Sequence, residues 1–207
     1  SFCSIPDVGF TDWECIHIGA KIAIRNVNGI RAIPKMNFSS PSQFSDVTFF
    51  VEGKKIHAHK QYLSVYSKIF HETFFVAENT KNLNEFDIPR VKYEEFVDLL
   101  HCIYPSSKKV SVINVGYLLK LARLFQIKFI RDAAVDFLLS SEAEDIMHER
   151  IIWYNVYDLN ELEDHLRKEL SSWDGEEYFG RMRQNSVYTR LAAEEKVKVL
   201  EYILLKP

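Results

Sequence analysis

Glycine is scarce in this chain, at seven residues in 207. A phosphate-cradling loop needs several glycines close together, and neither a GxGxxG nor a P-loop pattern occurs. Cysteine is scarcer still. Cys3, Cys15 and Cys102 form an odd, scattered set of three with no CxxC pair. That argues against a disulfide framework and points to free thiols in a reducing compartment. Excess charge of one sign is also lacking. The 26 basic and 29 acidic side chains leave a net charge of −3, which offers no electrostatic footprint for nucleic acid or an anionic membrane. No apolar run approaches the roughly 20 residues that cross a bilayer. The opening SFCSIPDVGFTDW has neither a basic nor an apolar leader segment. The protein is expected inside the cell, in cytoplasm or nucleus, with no nucleic acid and no membrane among its partners.

What is present is hydrophobic periodicity. Ile16, Ile18, Ala20, Ile22 and Ile24 alternate, the signature of a half-buried strand, and Asn28-Gly29 supplies a turn after it. PKMNFSSPSQ, rich in proline and serine, reads as a linker. Val47, Phe49 and Val51 alternate again; a turn at Glu52-Gly53-Lys54 leads to a returning strand, Lys55 to Ala58. The period then changes. Leu63, Tyr66, Phe70 and Phe74 recur at helical steps. EFDIP is a third short strand stopped by Pro89. Phe96, Leu99, Leu100 and Ile103 share a helix face that ends before Pro105, and SSKKVSV is a polar loop with room for a short strand. Val115 to Phe125 and Ile130 to Leu138 are further helices. Leu159, Leu162, Leu166 and Leu170 repeat at helical spacing, as do Val197, Leu200 and Leu204, with SSWDGEEYFG as a turn-rich break between them. A small sheet, a cluster of helices and a helical tail make the fold class α+β.

Three residue groups invite a chemical reading. His57 and His59, at alternate positions of a strand end, resemble half a metal site, but no neighbouring thiol or carboxylate completes it. They are expected to be structural. HETFF at His71 and HERII at His148 open like the zinc-protease HExxH, with Phe75 and Ile152 where the second imidazole must stand. His101 and Cys102 are sequence neighbours on a helix and so point about 100° apart. No catalytic residue, no metal and no cofactor is expected.

The stretch FSDVTFFVEGKKIHAHKQYLSVYSKIF closely resembles the opening of a BTB/POZ domain. FDIPRVKYEEFVDLLHCIY and NVGYLLKLARLFQIKFIRDAAVDFL follow in the order the family shows. The resemblance covers about 41–141. It implies a small three-stranded sheet flanked by helices, followed by a helical C-terminal extension at 142–207 that stands where relatives carry a 3-box or BACK region. Residues 1–40 are similar to the last strand and linker of nematode-type MATH–BTB proteins. The resemblance further implies a non-enzymatic homodimer that recruits partners. Asp46 and Lys60 match the acid and base that the family places at its dimer core. Val76-Ala77-Glu78 matches a hydrophobic-x-Glu cullin-3 motif, with Phe74 as an alternative anchor. Tyr104 matches an aromatic cullin contact, or else packs on the core. Pro105-Ser106 replaces the family's usual Thr-Gly. Two functions stay open: a cullin-3 ubiquitin-ligase adaptor for an unknown substrate, and a dimeric scaffold or transcription-complex assembly factor.

Overall fold

In a computed structural model, residues 36–106, 108–171 and 175–204 are described. The expected N-terminal strand and turn, and Cys3 and Cys15, lie outside these residues. β1 (Val47–Val51) and β2 (Lys54–Ala58) form an antiparallel hairpin with Val51 opposite Lys54. Its two-residue turn holds Glu52 at φ 49° and Gly53 at φ 75°. Two left-handed residues in succession match the twist of the flanking strands, and glycine enters that region without strain. β3 (Glu85–Asp87) pairs with β1 in parallel, Phe86 beside Phe49, so the sheet order is β2-β1-β3. Fold and strand content agree with the sequence reading.

The crossover from β2 to β3 is less regular than expected. α1 (Lys60–Tyr66) ends at Ser67, whose backbone is extended. The buried Ser67 hydroxyl accepts from the Phe70 N–H at 3.1 Å and donates to the Phe125 carbonyl at 2.5 Å. That cap starts a second short helix, α2 (Lys68–His71), where periodicity alone implied one continuous helix. A π-helical turn, Glu72–Val76, follows and closes with the Ala77 N–H on the Glu72 carbonyl at 2.8 Å. The widened turn keeps Phe74 inside and leaves Phe75 and Val76 exposed.

α3 (Tyr93–Ile103), α4 (Val115–Phe125) and α5 (Lys128–Leu139) occupy the expected spans. The sheet, α1–α3 and one face of α4 enclose an aromatic core. Phe49 lies at its centre, 5.3 to 6.3 Å from the rings of Phe70, Phe74, Phe86 and Phe96. Phe38 is buried against it, and its carbonyl accepts from the His57 N–H at 2.8 Å. The middle of the expected linker is therefore anchored. In the loop expected to leave room for a strand, residues 108–114 carry none.

A second core joins the other faces of α4 and α5 to the C-terminal helices: α6 (Met147–Tyr157), α7 (Glu163–Leu170), α8 (Gly175–Gln184), α9 (Ser186–Thr189) and α10 (Ala193–Leu204). A Cβ on Gly116 would sit 2.8 Å from Trp153 Cζ2, so the absence of a side chain there lets α6 approach α4. Two expectations are corrected in this region. The break after α7 is shorter than read, because helix resumes at Gly175. On α10 the inward residues are Val199 and Ile203, while Val197 and Leu204 face out. Apolar residues at steps of three and four fit two adjacent helix faces, and packing on α6 selects one.

Candidate partner-binding surface

Asp46 stands one residue before β1 and its N–H donates to the Ala58 carbonyl at 3.1 Å, extending the hairpin by one bond. This brings its carboxylate to the start of α1. Asp46 Oδ1 accepts from the Lys60 backbone N–H at 2.7 Å. His59, the residue before the helix, makes no side-chain cap. Asp46 thus satisfies a first-turn donor from outside the helix and puts negative charge at its positive end. The two expected partners do meet, but through the main chain of Lys60.

The Lys60 ammonium points elsewhere. It donates to the Leu83 carbonyl and to Asn84 Oδ1, each at 2.6 Å, and lies 5.8 Å from the centre of the Phe74 ring. Lys60 is only 8 % exposed. Burying an ammonium is costly unless its donors are satisfied, and here carbonyl oxygens of the 83–84 segment satisfy them.

The histidines that opened the metal question are engaged separately. His57 Nδ1 is 3.2 Å from Thr48 Oγ1, and His59 Nε2 is 3.2 Å from Ser42 Oγ. Among the described residues no group of three or more metal-type ligands comes together.

The four residues matched to cullin contacts divide into two pairs. Phe74 and Tyr104 are 1 % and 3 % exposed. Tyr104 packs on Phe38 and Tyr62, its hydroxyl accepts from the His59 N–H at 3.0 Å, and burial pushes its pKa up to about 12. Both side chains are core residues and reach no partner in this conformation. That corrects the reading of Phe74 as a surface anchor and favours the packing role for Tyr104. Val76 is exposed, and Glu78 is exposed beside Lys81 with 2.7 Å between the charges. After Tyr104, Ser106 Oγ donates to the His101 carbonyl at 2.9 Å, which folds the Pro105-Ser106 segment back on α3.

Sequence reasoning passed over three exposed apolar residues: Phe44, Val65 and Phe75. Val65 is 74 % exposed on α1. Two clefts share Asp46, Gln61 and Val65; Phe75 and His71 line one, Phe44 and Tyr62 the other. Together they make one continuous strip along the outer face of α1. The signal was available for Val65: Leu63 and Tyr66 set the inward face, and Val65 falls outside it.

A hairpin, α1 and α2, a parallel third strand and then α3 to α5 are the element order of one class of protein–protein interaction module. The chain belongs to the BTB/POZ domain family, whose model matches residues 36–142. Among curated relatives, BTB and MATH domain-containing protein 38 of Caenorhabditis elegans is 31 % identical over 79 % of this chain and 43 % of its own length. Human Kelch-like protein 24 is 32 % identical over 49 % of this chain and 17 % of its own length. Human Transcriptional regulator Kaiso is 38 % identical over 44 % of this chain and 13 % of its own length. The chain thus spans less than half of each of these relatives. The MATH-like reading of residues 1–40 falls mostly on residues outside those described. Among the described residues no helix is long and apolar enough to cross a membrane.

Proposed function

We propose that this chain is the dimerisation and docking part of a substrate adaptor for a cullin-3 ubiquitin ligase. The observation that carries the reading is the exposed Val76–Glu78 segment at the end of the π-helical turn, on a BTB/POZ frame. Hydrogen bonds tie that segment to the frame. Thr80 Oγ1 donates to the Thr73 carbonyl at 2.7 Å, and the Lys81 N–H donates to the Ala77 carbonyl at 2.9 Å. An ordered loop loses little entropy on binding, so its contacts count nearly in full.

The second copy meets the apolar strip of Phe44, Val65 and Phe75, beside Asp46. Dimerisation doubles the docking sites and raises the effective concentration of a bound substrate near the ligase. The adaptor works inside the cell, and its role is to hold proteins together; the ligase it serves supplies the chemistry.

A scaffold without a ligase role is the second reading. The burial of Phe74 and Tyr104 favours it, because two of the four matched cullin contacts are not presented. The experiment that separates the two is binding to the cullin-3 N-terminal region by Val76→Arg and Glu78→Lys variants. Both positions are exposed, so both proteins fold. The adaptor reading expects each variant to weaken binding at least tenfold. Unaltered binding in both removes Val76 and Glu78 as the docking segment.

A further inference from the structure

We propose that Lys60 is a positioning residue for the docking loop, a strut that ties the start of α1 to the 83–84 end of that loop. The inference deepens the adaptor reading and rests on it for the identity of the loop's partner.

Three observations converge. The Lys60 ammonium is buried, and among the described residues no carboxylate lies within ion-pair distance of it. Its two short bonds, to the Leu83 carbonyl and Asn84 Oδ1, end on one loop segment. The Asn84 carbonyl accepts from the Thr48 N–H at 2.8 Å, so the segment that Lys60 grips is also the entry to β3. The other end of the loop is tied separately by Thr80 on Thr73. Glu78 lies within the Thr73–Thr80 tie and pairs with Lys81, which lies between that tie and the 83–84 segment; the turn there is closed by the Leu83 N–H on the Thr80 carbonyl at 2.9 Å.

A charge built for an interface would keep its ammonium free to reach across. Lys60 instead spends its donors on its own chain. Its main-chain N–H is held by Asp46 and its side chain holds the loop. One residue therefore links the hairpin, the helix that carries Val65, and the loop that carries Glu78. Removing the ammonium frees the 83–84 end and also removes the charge that lies 5.8 Å from the centre of the Phe74 ring.

The test uses amide hydrogen exchange by mass spectrometry on the full chain, with Lys60→Met and Asn84→Ala. Met keeps the length of the stem and removes the donor. The expected result is at least tenfold faster exchange at Lys81 and Leu83 in Lys60→Met, the same direction in Asn84→Ala, and unchanged exchange in α3. The double variant should be no faster than Lys60→Met, because both changes break one connection. Dimer mass by light scattering should be retained. Unchanged loop exchange in Lys60→Met overturns the proposal, and a loss of dimer mass alongside it returns Lys60 to an interface role. If Lys60→Met does not fold, Asn84→Ala decides alone, and unchanged loop exchange there overturns it. Failure of the wild type to bind the cullin-3 N-terminal region would end the adaptor reading, yet the exchange result would still decide whether Lys60 positions the loop.

Discussion

Replacing Val65 with Ser tests the proposed dimer face with a magnitude that follows from the structure. Val65 is 74 % exposed, so about three quarters of its apolar surface is still in water. Burying a valine fully is worth about 1.5 kcal/mol at the low end. Three quarters of that is roughly 1 kcal/mol per copy. A twofold interface uses the same patch on both subunits, so the change enters twice, at about 2 kcal/mol. The dimer dissociation constant should rise roughly thirtyfold. The fold should barely respond, because surface changes away from caps and networks usually stay within about 0.5 kcal/mol. Sedimentation equilibrium measures the first quantity and urea unfolding of the monomer the second. A dissociation constant within threefold of the wild type would refute the assignment of this face. A wild type that is monomeric at tens of micromolar would refute dimerisation itself.

Other expectations concern the fold beneath the site. Gly116→Val should destabilise by about 2 kcal/mol in urea, because the new Cβ meets Trp153 Cζ2 at 2.8 Å; Trp153→Phe should relieve part of that cost. Arg150 is fully buried, with Nη1 3.0 Å from both carboxylate oxygens of Glu169 and, among the described residues, no hydrogen-bond partner for Nε or Nη2. Glu169→Gln should cost about 3 kcal/mol by stranding that charge, whereas Arg150→Met should be nearly neutral or stabilising; the opposite order in urea melts would contradict this. Burial, followed by the nearby Arg181 charge, holds the pKa of His148 below its ordinary value against the opposing pull of Glu149. Below about pH 6.5 the unfolded chain takes up a proton at this position that the folded chain resists, so stability should fall with pH in that window. His148→Phe should flatten that part of the profile.

Elements with a single strong period were legible in the sequence. β1 alternates cleanly, and α3, α4 and α5 each carry one apolar stripe. What escaped depends on contacts distant in sequence. The break at Ser67 needs the Phe125 carbonyl, 58 residues away. The π-helical turn is a change of one residue in register, invisible to a pattern count, yet it decides that Phe74 turns in and Phe75 turns out. The face of α10 was set by α6, and no local signal separates Val197 from Val199. At the site, sequence spacing suggested that the hairpin brings Asp46 and Lys60 together, and their contact is real. Only coordinates reveal that it runs through a backbone N–H while the ammonium holds the loop. Tyr104 had two readings of equal standing, and its burial favours packing on the core.

In the adaptor reading proposed above, the exposed 76–78 segment docks the cullin-3 N-terminal region. Calorimetric titration of the full wild-type chain with the cullin-3 N-terminal region tests it most directly. Saturable binding with one cullin per chain is expected, at a dissociation constant of about a micromolar or tighter, about −8 kcal/mol. No saturable heat at tens of micromolar, from a chain shown to be folded and dimeric, would contradict it and leave the scaffold reading in its place.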